Sequence, residues 1–170
     1  RNYDINRFKN AVKLFLKADD DFKNSETYNA DKIDFLRQVW ANKGDKAYEN
    51  LVKAIESKDQ DNIKKTGTIF LEMITLQDQL LSNSRFCTLN RWLNEAENFG
   101  NNLPDARNVM YNAKAQITFW GPDDHPKTTL RDYAHKEWNG IMGSLYYNRW
   151  KIFIEDALRG INTKPETFYN

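Results

Sequence analysis

Turn-forming residues are scarce in this chain of 170 residues, and their scarcity limits its possible folds more than any other sequence feature. The chain has 7 Gly and 4 Pro, about half of the usual combined share. A many-stranded sandwich or barrel needs a turn roughly every ten residues, and Gly and Pro supply many of those turns. The composition therefore favours long helices with few connections.

Hydrophobic periodicity agrees with this preference, because apolar residues recur at spacings of three and four in six segments. The predicted helices are Ile5–Leu16, Asn29–Glu56 with Lys43–Gly44 as the candidate kink, Ile63–Ser82, Cys87–Phe99, Pro104 to a stop at Gly121–Pro122, and Thr129–Arg159. We therefore predict an all-α fold, an antiparallel helical bundle of about five to six helices with a long C-terminal helix.

The last predicted helix has the clearest start signal. The hydroxyl of Thr129 is placed to cap the amide of Asp132, and loss of such a cap costs about 1 kcal/mol. From Thr129 to Arg159 the helix would extend about 45 Å, enough to run the length of the domain.

Charge and cysteine content exclude several classes of partner. Lys and Arg number 25 against 24 Asp and Glu, for a net charge of +1, so no field of one sign attracts nucleic acid or an anionic membrane. No apolar run reaches membrane-spanning length. Cys87 is the only cysteine, which excludes an intrachain disulfide.

The usual catalytic and metal-binding motifs are missing from the sequence. It has no Gly-rich phosphate loop, nucleophile elbow or HExxH motif. His125 and His135 lack Cys or acidic partners at ligand spacing, and Asp19–Asp21 lacks the further oxygen ligands of a calcium loop. We therefore predict no metal and no cofactor, with His125 in a surface loop and Asp19–Asp21 in a solvated turn.

One stretch of the sequence is suited to bind a sugar. Trp120 ends a predicted helix, and Leu130 and Tyr133 lie three residues apart on the first turn of the next. A ring face, an apolar side chain and a phenol suit the C–H groups and hydroxyls of a sugar. A core position for Trp120, and a surface or hydrogen-bonding role for His135, are the alternatives.

Four sequence blocks resemble the C-terminal helical domain of alpha-N-acetylglucosaminidases, glycoside hydrolase family 89. They are Ser82–Phe86, Ala113–Pro122, Asp132–Trp138 and Tyr146–Trp150. The resemblance implies an upstream barrel domain with two catalytic glutamates, and a helical domain that packs on it and contributes to the rim of the sugar pocket. It also implies hydrolysis of terminal alpha-linked N-acetylglucosamine with retention, in which two carboxylates stand about 5–5.5 Å apart.

Carried over residue by residue, the resemblance assigns substrate contact to Trp120, Leu130 and Tyr133, with His135 as a possible secondary contact. It matches Arg149 and Trp150 to a block where packing is the expected role. The loop over residues 123–128 looks longer than in shorter family members. No residue of this chain is expected to be catalytic.

These observations predict one all-helical domain over residues 1–170, a C-terminal fragment of a larger glycosidase that lacks the catalytic barrel and is inactive alone. Its partners would be that barrel and a glycan with terminal alpha-N-acetylglucosamine. The alternatives are a stand-alone helical protein-interaction module and an independent sugar-binding domain. The family is lysosomal in animals and exported in many bacteria, and the absence of an Asn-x-Ser/Thr sequon favours a periplasmic or secreted bacterial setting.

Overall fold

The structure is a computed structural model that describes residues 2–100, 106–118 and 136–162. Its helices are α1 (Ile5–Phe15), α2 (Asp19–Phe22), α3 (Glu26–Glu56), α4 (Gln60–Leu81), α5 (Leu89–Gly100), α6 (Ala106–Gln116) and α7 (Tyr147–Leu158), and a π-helical turn over Met142–Tyr146 leads into α7. The predicted all-α fold is confirmed. No helix in the described ranges combines the length and apolarity needed to cross a bilayer.

Side-chain caps determine where the helices of the N-terminal half begin. The Asp4 carboxylate accepts hydrogen bonds from the amides of Asn6 and Arg7 at 2.8 and 3.0 Å. The Ser25 hydroxyl accepts one from the Tyr28 amide, which is why α3 begins at Glu26, three residues before the predicted start. Helix α4 begins after Asp59, whose carboxylate accepts a bond from the Asn62 amide at 3.0 Å.

Helices α3 and α4 form the centre of the bundle, and α7 packs against α4. The turn between α3 and α4 is short, so the two helices run antiparallel. Both helices carry fully buried side chains, Leu51 in α3 and Ile63 and Leu81 in α4. The main core cluster adds Ile154 of α7 to residues of the two long helices: Ala47, Leu51, Ala54, Ile63, Phe70 and Ile74.

The prediction of one unbroken helix from Thr129 to Arg159 is wrong at residues 136–140. Lys136–Trp138 have no regular secondary structure, Asn139 forms a parallel β-bridge with Thr88, and Gly140 has φ +93°. A residue with positive φ does not continue a right-handed helix. Helical structure therefore begins at Ile141, and the proposed Thr129 cap lies outside the described residues.

The two shorter helices also end differently from the prediction. Helix α6 ends at Gln116, ahead of Gly121, because Ile117 and Thr118 form a tight turn with amide bonds to residues three positions back. Helix α5 includes Gly100, which is buried against Ala106; a Cβ on it would lie 3.1 Å from the Ala106 Cα. Pro104 lies outside the described residues.

The acidic triplet Asp19–Asp21 forms the first turn of α2, and Asp19 pairs with Lys32 of α3 at 2.6 Å. In the described part of the chain, no group of three or more His, Cys, Asp or Glu side chains is placed to hold a metal ion.

Candidate functional site

The four residues predicted to contact a sugar lie outside the described residues. They are Trp120, Leu130, Tyr133 and His135, and His125 also falls in this stretch. Their placement stays a prediction. The described chain leads to this stretch at Thr118 and resumes at Lys136. The surface around these two residues therefore adjoins the predicted sugar contacts.

A cleft of about 440 Å³ lies at this surface. Its lining comes from the segment before α5, from α5 itself, from the end of α6 and from the resumed chain: Phe86, Thr88, Arg91, Trp92, Glu95, Gln116, Ile117, Lys136 and Trp138. Gln116 and Ile117 lie within three residues of the start of the undescribed stretch, and Lys136 immediately follows it. The volume is within the range of small-ligand pockets.

Two indole rings form the aromatic wall of the cleft. The ring centroids of Trp92 and Trp138 are 6.1 Å apart with a tilt of 52°. The Trp92 Nε1–H donates to the carbonyl oxygen of Ala113 at 2.8 Å, which fixes this ring between α5 and α6. The Lys136 ammonium lies 5.9 Å from the Trp138 ring. Ring faces beside polar groups are the arrangement that suits a sugar.

Charged side chains border the aromatic wall. Arg91 Nε donates to Glu95 Oε1 at 2.8 Å along α5, and Arg85 pairs with Glu26 at 2.5 Å. The Arg85 and Arg91 guanidinium groups also lie over the Phe86 ring, at 4.8 and 5.2 Å from its centroid. Both pairs are exposed and add little stability, but Arg91 and Glu95 line the cleft and supply it with hydrogen-bond donors and acceptors.

The sequence does not predict that Trp92 and Trp138 line this cleft. Each is only partly buried. Periodicity identifies which side of a helix a residue is on, but it does not tell a core indole from one that forms a wall. The predicted packing role of Trp150 is confirmed, because its ring packs edge-on against the Phe70 ring with the ring centroids 4.8 Å apart.

A second cavity, of about 390 Å³, lies between α3, α4 and the C-terminal helix. Its lining is largely aromatic and apolar, with Trp40, Tyr48, Phe70 and Trp150 among the residues, and it also includes Asp45, Gln77 and Glu137. The Trp40 Nε1–H donates to the carbonyl oxygen of Met73 at 2.9 Å. The cavity therefore borders the central packing of the bundle.

The cleft has the groups to bind a sugar, but its described lining does not hold the pair of carboxylates that cleaves one. Among the described residues that line it, Glu95 is the single carboxylate, and it is already paired with Arg91. Glycoside hydrolysis generally requires two carboxyl groups on opposite sides of the scissile bond. The described lining of this cleft does not contain such a pair.

Comparison with known proteins gives a family match over nearly the whole chain. Residues 1–169 match the family model of the alpha-N-acetylglucosaminidase (NAGLU) C-terminal domain. The chain is 29% identical to human alpha-N-acetylglucosaminidase over 147 residues, which are 85% of this chain and 19% of the human protein.

Solved structures of a family 89 glycoside hydrolase from Clostridium perfringens share the fold. The complex with PUGNAc has a TM-score of 0.85 at 28% identity over 99% of this chain and 20% of that chain. The complex with its substrate GlcNAc-alpha-1,4-galactose gives the same TM-score, identity and coverage. The chain thus spans about a fifth of the length of the relatives it matches.

Proposed function

Because this chain belongs to the family of the alpha-N-acetylglucosaminidase C-terminal domain, we propose that it is the helical part of a larger retaining glycosidase. The larger enzyme would hydrolyse terminal alpha-linked N-acetylglucosamine from glycans. A catalytic barrel domain in the same parent chain would carry the two catalytic glutamates, and the helical domain would pack on it. The aromatic cleft carries this proposal, because it adjoins both ends of the segment to which the family resemblance assigns sugar contact.

In this proposal Trp120, Leu130 and Tyr133 line the sugar pocket of the parent enzyme, and His135 is a secondary contact. Trp92 and Trp138 would extend the same aromatic surface beyond the terminal sugar. An indole face stabilises a sugar by covering its C–H groups, while neighbouring polar side chains bind its hydroxyls.

The first test is activity with an aryl alpha-N-acetylglucosaminide. The isolated chain is expected to be inactive, because the described lining of its cleft holds no carboxylate pair, whereas the longer enzyme is expected to hydrolyse the substrate. Turnover by the isolated chain that disappears on replacing one of its own carboxylates would contradict the proposal.

The second test concerns the sugar contact in the longer enzyme. Trp120→Ala is expected to lower kcat/KM by about tenfold or more without changing the helix content seen by circular dichroism. Phe22→Ala is the matched control, since it removes an exposed aromatic ring of α2 away from the cleft. Full activity of the Trp120→Ala enzyme would show that the ring does not contact substrate.

We propose a periplasmic or secreted setting if the source is bacterial, in line with the export of many bacterial family members. Cell fractionation with an antibody against the chain tests this, and a purely cytosolic signal would contradict it.

A further inference from the structure

Three N–H groups converge on the carboxylate of Asp78, near the end of α4. Oδ1 accepts hydrogen bonds from the backbone amides of Gly140 at 2.7 Å and Gly143 at 2.8 Å. Oδ2 accepts one from the Asn139 side-chain amide at 2.9 Å, and that amide also donates to the Asp78 carbonyl oxygen at 3.1 Å. Bonds to an ionised acceptor are stronger than neutral ones.

The backbone that meets Asp78 tolerates no side chain at either glycine. A Cβ on Gly143 would lie 2.9 Å from the Asp78 Cγ. Gly140 has φ +93°, and a Cβ there would lie 3.1 Å from the Leu89 Cβ. Residues 139–143 are therefore held against α4 and the start of α5 in one closely packed arrangement.

This junction directly follows the wall of the cleft. Lys136 and Trp138 line the cleft. In the next residue, the backbone N–H of Asn139 donates to the carbonyl oxygen of Cys87 at 2.8 Å. Gln77, the neighbour of Asp78, donates from Nε2 to Glu137 Oε2 at 3.0 Å. Two consecutive side chains of α4 thus hold the chain on either side of Trp138.

We propose that Asp78 is a positioning residue for sugar binding, which acts by holding Trp138 and the chain next to it in place along the cleft. The inference rests on the proposed function, since it supposes that the cleft belongs to the sugar site. Asp78 touches no sugar itself. Its removal displaces a wall that contacts bound substrate and transition state alike, so the effect falls on KM and leaves kcat unchanged.

The test uses the longer enzyme that contains this chain and an aryl alpha-N-acetylglucosaminide. Asp78→Ala is expected to raise KM about tenfold and to leave kcat within about twofold. Asp78→Asn keeps an oxygen that accepts from the Gly140 and Gly143 amides. Its NH₂ group, however, would face the NH₂ group of Asn139, and two donors cannot bond to each other. A KM increase of about threefold is therefore expected.

Asp59→Ala is the matched control. Asp59 also caps a helix with its carboxylate, on the same α4 but about 28 Å away at the other end. This variant is expected to lower Tm while leaving KM unchanged, because its cap does not reach the cleft.

Two results would overturn the proposal: an unchanged KM in folded Asp78→Ala, or an equal KM increase in Asp59→Ala. Should Asp78→Ala fail to fold, Asp78→Asn decides, and an unchanged KM there overturns the proposal too. Trp120→Ala in the same assay distinguishes a failure of the positioning role from a failure of the sugar-site proposal. If it raises KM and the Asp78 variants do not, the positioning role alone fails; if none of them changes KM, the sugar-site proposal fails as well.

Discussion

Gly67 lies inside α4 at the point where the C-terminal helix crosses it. A Cβ at this position would lie 2.7 Å from the Ile154 Cγ2, and Ile154 is buried in the core cluster. Gly67→Ala is therefore expected to destabilise the protein by about 1–3 kcal/mol through overpacking. Urea unfolding of the two proteins measures the difference.

Gly44 supplies the control, because it is also a glycine inside a long helix but has no neighbouring atom within 4 Å of the point where a Cβ would lie. Gly44→Ala is expected to stabilise α3 by up to about 1 kcal/mol. Equal effects of the two substitutions would show that helix propensity, and not the contact with Ile154, governs both sites.

The Asp59 carboxyl gives the stability a dependence on pH. The hydrogen bond from the Asn62 backbone, followed by one from its side chain, lowers the pKa of Asp59 below its ordinary value. A carboxyl with a lower pKa in the folded state stabilises it above the unfolded pKa and loses this contribution as pH falls through the folded pKa. The Tm difference between wild type and Asp59→Ala should therefore shrink from neutral pH to about pH 3.

Ser25→Ala is the control for this titration, since Ser25 caps α3 without an ionisable group. Its Tm deficit should stay constant over the same pH range. A constant deficit for Asp59→Ala as well would mean that the ionised form contributes nothing to the cap.

At the scale of helices, α5 and α6 differ from the bundle in how much they bury. Helices α3 and α4 each bury six residues, whereas the buried positions of α5 and α6 are Gly100 and Ala113. The Trp92–Ala113 hydrogen bond and the packing of the pair on each other hold them together. Local stability follows the amount of buried apolar surface.

Amide hydrogen exchange of the isolated chain should show this difference. Amides in α5 and α6 are expected to exchange faster than those in the centres of α3 and α4, because local opening there exposes less apolar surface. Mass spectrometry of peptides from the four helices measures it. Equal protection in all four would contradict the interpretation that α5 and α6 form a less stable unit.

Two glycines show how much of the helical structure the sequence determines. The apolar stripe predicts that a helix tolerates Gly44, and α3 does continue through it. Gly140 interrupts a similar apolar ladder of Trp138, Ile141 and Leu145, yet there the helix starts only afterwards. The difference comes from Asp78, a tertiary partner distant in sequence that binds the Gly140 amide, and periodicity contains no information about it.

The candidate site is predictable in part. The two sequence segments that adjoin the cleft, Ala113–Pro122 and Asp132–Trp138, stand out in the sequence, and their described ends do meet. The contribution of Trp92 cannot be foreseen, because it depends on the packing of α5 against α6 and not on a local motif. Trp120, Leu130, Tyr133 and His135 remain predictions, and the Trp120→Ala variant tests the first of them.

For the whole molecule, the bridge between Thr88 and Asn139 indicates that the segment between these residues can be replaced as a unit. The chain leaves and rejoins the bundle at adjacent points, since Leu89 donates to the Asn139 carbonyl at 2.9 Å. Because the bridge is parallel, its ends need a crossover of about a dozen residues. Replacing residues 90–137 by a Gly/Ser crossover of about that length should preserve cooperative urea unfolding of α3, α4 and α7; a loss of cooperativity would contradict this. Residues 90–137 would then behave as a separate unit that can be exchanged between relatives while the bundle of α3, α4 and α7 stays the same.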